Sequence, residues 1–460
     1  MKQHTFELTT NEKRFLRTLL WCGIGLIAIG PFHGFLSTWL GTAIGPLWLW
    51  KSAKDIAVLL LAVVLGIWLL LDAARRRYVL SLTLVRLLLI YIGVGVLVSI
   101  WQFHGFSEAL LAGLVFTFRY ILLFGTLYVV QSLLADNSWH QWMKRYVMIA
   151  AVWLAVIGVI QVTVIPADFL TKFGYGPSTI APVSTIDANP DARRAFATMR
   201  GPNDYGAFLM TLLVACLLFV RRATYRHILT GIILVGLYIS SSRSAWLGAA
   251  VAVGYLLWQS LRRRGFSAGR LLMFTSAAIA TGAVLLYVAI TIPALRLAVF
   301  HSSPGDSHLT EGSTDIHWQQ TAAGIARVAD NPLGCGIGCA GPATFYSDHT
   351  RISENYFVQI AEEVGIIGLI LWLGIFVAVM RRLYEHRVDH WALWLFVSGL
   401  GLSVIGFWLH VWVDDAVSLL WWGLAGLILG QYASQNSQKA LSLLRRYGKT
   451  KKQKSTKAVY

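Results

Sequence analysis

Apolar residues fall along this chain in long blocks broken by short polar stretches, rather than on alternate positions or along one helical stripe. A helix needs about 20 apolar residues to cross the hydrocarbon core. Twelve blocks meet or approach that length, at 16–38, 55–71, 83–101, 109–134, 146–166, 204–220, 227–240, 244–260, 270–292, 356–380, 391–412 and 415–433. The first is interrupted by "GPFHG", and the seventh and eighth share the turn from Ser240 to Arg243. The pattern predicts an all-α polytopic membrane protein with about 12 transmembrane helices, a single integral membrane domain over 1–460. Two long polar stretches remain, 167–203 and 293–355. In the second, "STDIHWQQTAAGIARVADNPLG" reads as a short helix, capped by Ser313 or Thr314 and ended at Asn331–Pro332. Its mildly apolar face, with Ile316, Ala322, Ile325 and Ala329, suits a helix on a membrane surface or over a cavity.

Composition agrees: 56% of residues are hydrophobic and 13% charged, against about 25% charged in soluble domains. The net charge of +17 would suit a nucleic-acid partner, but its distribution excludes one. Basic clusters at Arg75, Lys144, Arg221, Arg262 and Arg381 recur after every second apolar block. Positive residues hold loops in the cytoplasm, so both termini and the basic tail 436–460 are expected there, with the two long stretches outside. No long cytoplasmic loop remains to hold a nucleotide-binding domain, and no internal repeat is visible. The N-terminus lacks the small-residue cleavage site of a removable signal peptide. Four cysteines make no disulfide framework. Cys335 and Cys339 match neither a redox pair nor a zinc ribbon, and read as plain small residues.

Charges inside apolar surroundings carry the candidate chemistry. Arg243 in "SSSRSAWLG" falls at the external mouth of two short spans, where an arginine has no topological use. Its fork-shaped guanidinium suits phosphate oxygens, with Ser242 and a helix N-terminus adding donors; snorkelling to headgroups is the plainer alternative. Arg200 in "RGPNDYGAFL" lies at similar depth, before a helix capped by Asn203 or Asp204. In "RISENYFVQIAEEVGIIGL", Glu354 and Asn355 open the tenth span and Glu362 and Glu363 lie about two turns inside it. Eight residues separate Glu354 from Glu362, which keeps both near one helical face. A carboxylate beside phosphate-holding arginines has the placement of a general base. His317 stands over the same mouth. With His301, His308 and His349 it matches no zinc pattern, so no metal is assigned. Asp414, Asp415 and His410 at the last external turn are either interfacial or line the same cavity. The G-x-G-x-x-G of "GCGIGCAG" follows no strand and fails as a dinucleotide site. Its glycines suit tight backbone packing beneath the loop helix.

In order and topology, "RGPNDYGAFL", "SSSRSAWLG", "HW…NPLGCGIG" and "ENYFVQIAEEVGIIGL" resemble the O-antigen ligase/polymerase superfamily, over roughly the C-terminal two thirds from about Ala195. The resemblance implies a membrane glycosyltransferase of the bacterial plasma (inner) membrane, multi-pass, using an undecaprenyl-pyrophosphate-linked glycan donor and a glycan or glycolipid acceptor. It implies no metal and no nucleotide sugar, so no cofactor. It makes 293–355 the catalytic loop and Arg243 a donor-pyrophosphate contact; the position of Arg200, read from the residues, adds it as a second candidate contact. Ligases of the superfamily often carry a histidine where Glu354 stands, and other members often show arginine where His317 stands. The departure moves the base role to Glu354 or His317 and favours a polysaccharide polymerase over a ligase onto lipid A-core. Asn203, Ser242, Asn355, Glu362 and Asp414 are the cavity-lining candidates. The rival from another class is a membrane transporter of an anion or lipid-linked solute, which broken helices in paired positions and midplane charges would favour.

Overall fold

The computed structural model describes residues 8–435 except 104, 187–188, 268, 271–272, 274–275, 277–283, 285–286, 289–290 and 293–312. The ninth expected span, the basic tail 436–460, His301 and His308 therefore lie wholly or largely outside the described residues, as do the first-turn side chains Ser313, Thr314 and Ile316. The chain is helical: α1 (Thr10–Ile29), α2 (His33–Ala43), α3 (Leu47–Leu70), α4 (Ala73–Ser81), α5 (Thr83–Trp101), α6 (Glu108–Leu134), α7 (Trp139–Thr163), α8 (Pro202–Phe219), α9 (Ala223–Ser240), α10 (Arg243–Arg263), α11 (Ser313–Asp330), α12 (Tyr356–Glu385) and α13 (His390–Gly406). A last helix, α14, runs Asp415–Gln435. Among the described residues ten helical segments are long and apolar enough to cross a membrane, α1 and α2 counting together as Thr10–Ala43. The eleventh expected span appears as α13, apolar but only 17 residues long.

The "GPFHG" break is a 3-10 turn, Gly30–Phe32, with Pro31 inside it. Proline removes a helical donor and forces the chain to re-aim. The connection between α7 and α8 contains an antiparallel pair that the apolar pattern does not reveal, β1 (Ser184–Ile186) with β2 (Asn189–Arg194), in register Ser184 to Arg194.

The basic connections gather at one end of the bundle. Arg75 meets Glu12, Arg17 lies 3.0 Å from Asp136, Tyr78 donates to the Ser132 carbonyl, and Arg382 donates to Tyr128. Between the ends lies a core rich in buried tryptophan: Trp372, Trp394, Trp412, Trp421 and Trp422 are fully buried. Large aromatics bury extensive area each, and this cluster fixes α12, α13 and α14 against one another. The opposite end, here the loop face, carries α11 and the segment 331–355.

There α12 breaks. Gly365 adopts φ 77°, a conformation open mainly to glycine, and a Cβ on it would lie 2.6 Å from the Leu333 carbonyl. The groups freed by the break are taken up by the segment after α11. The N–H groups of Cys335 and Gly336 donate to the carbonyls of Glu362 and Glu363, and Ile366 N–H donates to the carbonyl of Pro332. Irregular backbone at membrane depth persists only when its polar groups are satisfied in this way.

Candidate functional site

Three groups of side chains are built at the loop face. The first surrounds the serine turn between α9 and α10. Ser241 takes φ 51° to reverse the chain, Ser242 precedes the helix as its cap, and Arg243 occupies the first helical position, half-buried. Arg194, at the end of β2, holds this turn. Its Nε donates to the Ser240 carbonyl at 2.9 Å, and its Nη2 donates to Asn203 Oδ1 at 2.9 Å and to the Ser241 carbonyl at 3.3 Å. Gly206 lies beneath, where a Cβ would sit 2.9–3.0 Å from Ala245, Ser240 and Ser242. "RGPNDYG" and "SSSRSA" are thus one structural unit. Neither Asn203 nor Asp204 caps α8; Gly201 holds that position, and Pro202 starts the helix.

The second group lies deeper. Asp415, at the start of α14, is 4% exposed and meets three cations. Lys54 Nζ is 3.0 Å away and Arg200 Nη2 3.2 Å, with Arg119 in direct contact. Asp55 lies 2.8 Å from Lys54 and 3.5 Å from Arg119, and His33 Nδ1 stands 3.6 Å from Asp415. Charges this far from water persist only when paired. Arg200 is their link to the surface, its side chain 39% exposed. The segment carrying it is pinned: Gln161 Oε1 accepts from the N–H groups of Phe196 and Ala197, and Thr198 donates to the Pro31 carbonyl at 2.8 Å. Asp414 caps α14, accepting from Val417 N–H at 2.8 Å.

The third group is the pair Glu354–His317, with His317 Nδ1 3.2 Å from Glu354 Oε2 and each side chain about a quarter exposed. Glu354 takes φ 49° and precedes α12, whose cap is Asn355; Asn355 Oδ1 accepts from the N–H groups of Phe357 and Val358. Glu354 and Glu362 therefore do not share a helical face, because the chain turns between them. Glu362, 3% exposed, instead contacts Arg327 of α11. Burial raises the Glu354 carboxyl, but contact with His317 and the charges of His317 and His410 outweigh it and hold the group below the usual glutamate range. Burial drives the His410 imidazole down to about 4, against the pull of Glu354.

α11 packs on α12 through His317, Thr321, Gly324 and Arg327. A Cβ on Gly324 would meet Val358 at 2.7 Å, and Thr321 donates to the Ser353 carbonyl at 2.9 Å. The mildly apolar face with Ala322, Ile325 and Ala329 is turned away from this contact and is exposed. A correction concerns Cys335 and Cys339, which are joined as a disulfide, with Cα atoms 6.0 Å apart, rather than being plain small residues. The glycines around them pack tightly, though not under α11: Gly336 meets α5, Gly338 meets α6 and Gly341 meets Gln359 of α12. Gly338 takes φ 88°, and a Cβ there would lie 2.3 Å from the Ala109 carbonyl. Glu363 braces the same turn by accepting from Gly338 N–H at 3.0 Å.

Residues 228–373 match the family described as O-antigen ligase, and this supports the O-antigen ligase/polymerase superfamily that the motifs resemble. The matched stretch includes Arg243, α11, the disulfide and Glu354. No curated protein matches the chain.

Proposed function

We propose that this multi-pass membrane protein, a glycosyltransferase of the O-antigen ligase/polymerase type, elongates a lipid-linked glycan at the outer face of the bacterial plasma membrane. The donor is an undecaprenyl-pyrophosphate-linked oligosaccharide and the acceptor is a glycan hydroxyl. Arg243 and Arg200 hold the diphosphate, and Glu354 takes the proton of the acceptor hydroxyl as its oxygen attacks the anomeric carbon. The bond from that carbon to the phosphate oxygen breaks, and undecaprenyl diphosphate leaves with the electron pair. Arginines already in place stabilise the charge that grows on the leaving group without reorganising at the moment of reaction.

The observation that carries this reading is the Glu354–His317 pair: a partly exposed carboxylate, kept ionised by an imidazole 3.2 Å away, inside the matched stretch. The Cys335–Cys339 disulfide favours an oxidising compartment for the same loop, in line with cytoplasmic termini and an inner-membrane location. Transport is the weaker reading. The break at Gly365 has its freed backbone groups bonded by residues 332–336 rather than left for an ion, and the deep cations are already matched by Asp55 and Asp415. Purified protein in lipid, given a lipid-linked oligosaccharide, is expected to release undecaprenyl diphosphate and form longer glycans. Arg243→Ala and Glu354→Gln should each abolish product while the protein stays folded. Full turnover in both variants refutes the roles, and transfer to lipid A-core instead of elongation makes the protein a ligase.

A further inference from the structure

We infer that a cavity on the loop face, apart from the three side-chain groups, is a saccharide subsite, which holds acceptor-glycan residues beyond the one that reacts. The inference rests on the transferase reading and adds a site to it. The cavity, of about 450 Å3, lies at the ends of α5 and α6, within the range of about 300–1,000 Å3 usual for ligand sites. Its floor is the disulfide with the backbone of Gly336–Gly338, and its walls include Ser99, Gln102, Ser107 and Thr344. Ser347, Asp348, His349 and Arg351 stand at the rim, with Phe103 beside them.

The walls are fixed before any ligand arrives. Ser99 Oγ accepts from Ile337 N–H at 3.1 Å, and Gln102 Nε2 donates to the Gly334 carbonyl at 3.1 Å. The disulfide closes the floor, so little ordering cost remains on binding.

The lining also selects a chemistry. Around Asp415 three cations converge, whereas this cavity is lined by one acid, Asp348, one guanidinium, Arg351, and one imidazole, His349, among hydroxyls and an amide. A balanced, hydroxyl-rich wall favours a neutral polyol over a phosphate, and the Phe103 ring offers an apolar surface for a sugar's C–H face. Position joins the cavity to the chemistry. Gly341 N–H donates to the Arg351 carbonyl at 2.8 Å, and Arg351 N–H donates to Thr344 Oγ1 at 3.0 Å, which pins the rim to the segment ending at Glu354. The three residues from Arg351 to Glu354 reach about 10 Å when extended, a gap that a short run of sugars bridges.

The test uses the full-length protein in nanodiscs, with lipid-free oligosaccharides released by mild acid from the source cell's own lipid-linked glycan. Saturation-transfer NMR should detect binding to the wild type with no lipid diphosphate present. Ser347→Trp, which fills the mouth, and Asp348→Ala, which removes an acceptor, should each weaken binding about tenfold, equivalent to about 1.4 kcal/mol. Both should raise the acceptor KM to match while leaving kcat at saturating acceptor and undecaprenyl diphosphate binding unchanged. If Ser347→Trp fails to fold, Asp348→Ala carries the test alone. No binding by the wild type, or equal binding by folded variants, overturns the subsite. Saccharide binding together with full transfer by Glu354→Gln would leave the subsite standing and remove the proposed base.

Discussion

Asp415 and Glu354 are both carboxylates near the loop face, and their surroundings differ in kind. Asp415 is buried against Lys54 of α3 and Arg119 of α6, and against Arg200, which precedes α8 and reaches the surface. Glu354 sits in a turn before α12, partly exposed, and has one imidazole beside it. A buried carboxylate saturated with cations is committed to holding structure and has no spare basicity. One that keeps an open side, with imidazoles rather than permanent cations for neighbours, can accept a proton and release it. The same residue chemistry thus positions Arg200 in one place and, in the proposed mechanism, serves as a base in the other.

The sharpest way to break this contrast is to neutralise each acid in turn. Asp415→Asn removes the ion-pair partner of Arg200 and leaves Lys54 and Arg119 to share Asp55, and losing one partner of a buried pair costs about 3–5 kcal/mol. A large drop in the melting temperature of the purified protein is expected, whereas Glu354→Gln should melt close to wild type and lose turnover. A stable, fully active Asp415→Asn would mean that the cluster does not hold Arg200. Next in size is Gly365→Ala, which forces a left-handed residue against the Leu333 carbonyl. Strain of about 1–3 kcal/mol should appear as a lower melting temperature.

His317→Ala sharpens the comparison kinetically. With the imidazole gone, burial dominates at Glu354, so the acid limb of the pH–rate profile should move to higher pH; an unmoved limb contradicts the pairing. The smallest effects concern stability. Glu354 is depressed in the folded state, so its contribution is complete above the ordinary glutamate range and is lost as pH falls through the folded value. His410, held at about 4 by burial, binds its proton more readily when unfolded. Stability should therefore fall as pH drops from the ordinary histidine range toward 4, and His410→Asn should flatten that slope in denaturation measured across pH.

Much of the helical frame was legible because lipid imposes a length and a composition on each span. The third expected span, 83–101, matches α5 residue for residue, and "GPFHG" marked the break between α1 and α2. The sites were legible only as isolated motifs. Arg194 escaped notice because its value lies in a hairpin pairing that brings it to the serine turn. Lys54 and Asp55 escaped because they sit together where an apolar block begins, Arg119 because it stands alone inside one, and only helix packing brings them to Asp415. A charge inside an expected span was the available signal for Asp55 and Arg119. The disulfide had no spacing rule to announce it, and the break at Gly365 depends on hydrogen bonds from a loop over 20 residues earlier in the chain than the helix end it serves.

The account stands or falls on which side of the membrane the serine turn and Glu354 face. In intact cells, cysteines placed one at a time at Ser241 and Ser347, in a background with both free thiols removed (Cys22→Ser, Cys216→Ser), should react with a membrane-impermeant maleimide without permeabilisation. Labelling that appears only after the membrane is opened would put the turn and the loop in the cytoplasm, away from any outer-face donor, and would contradict the account.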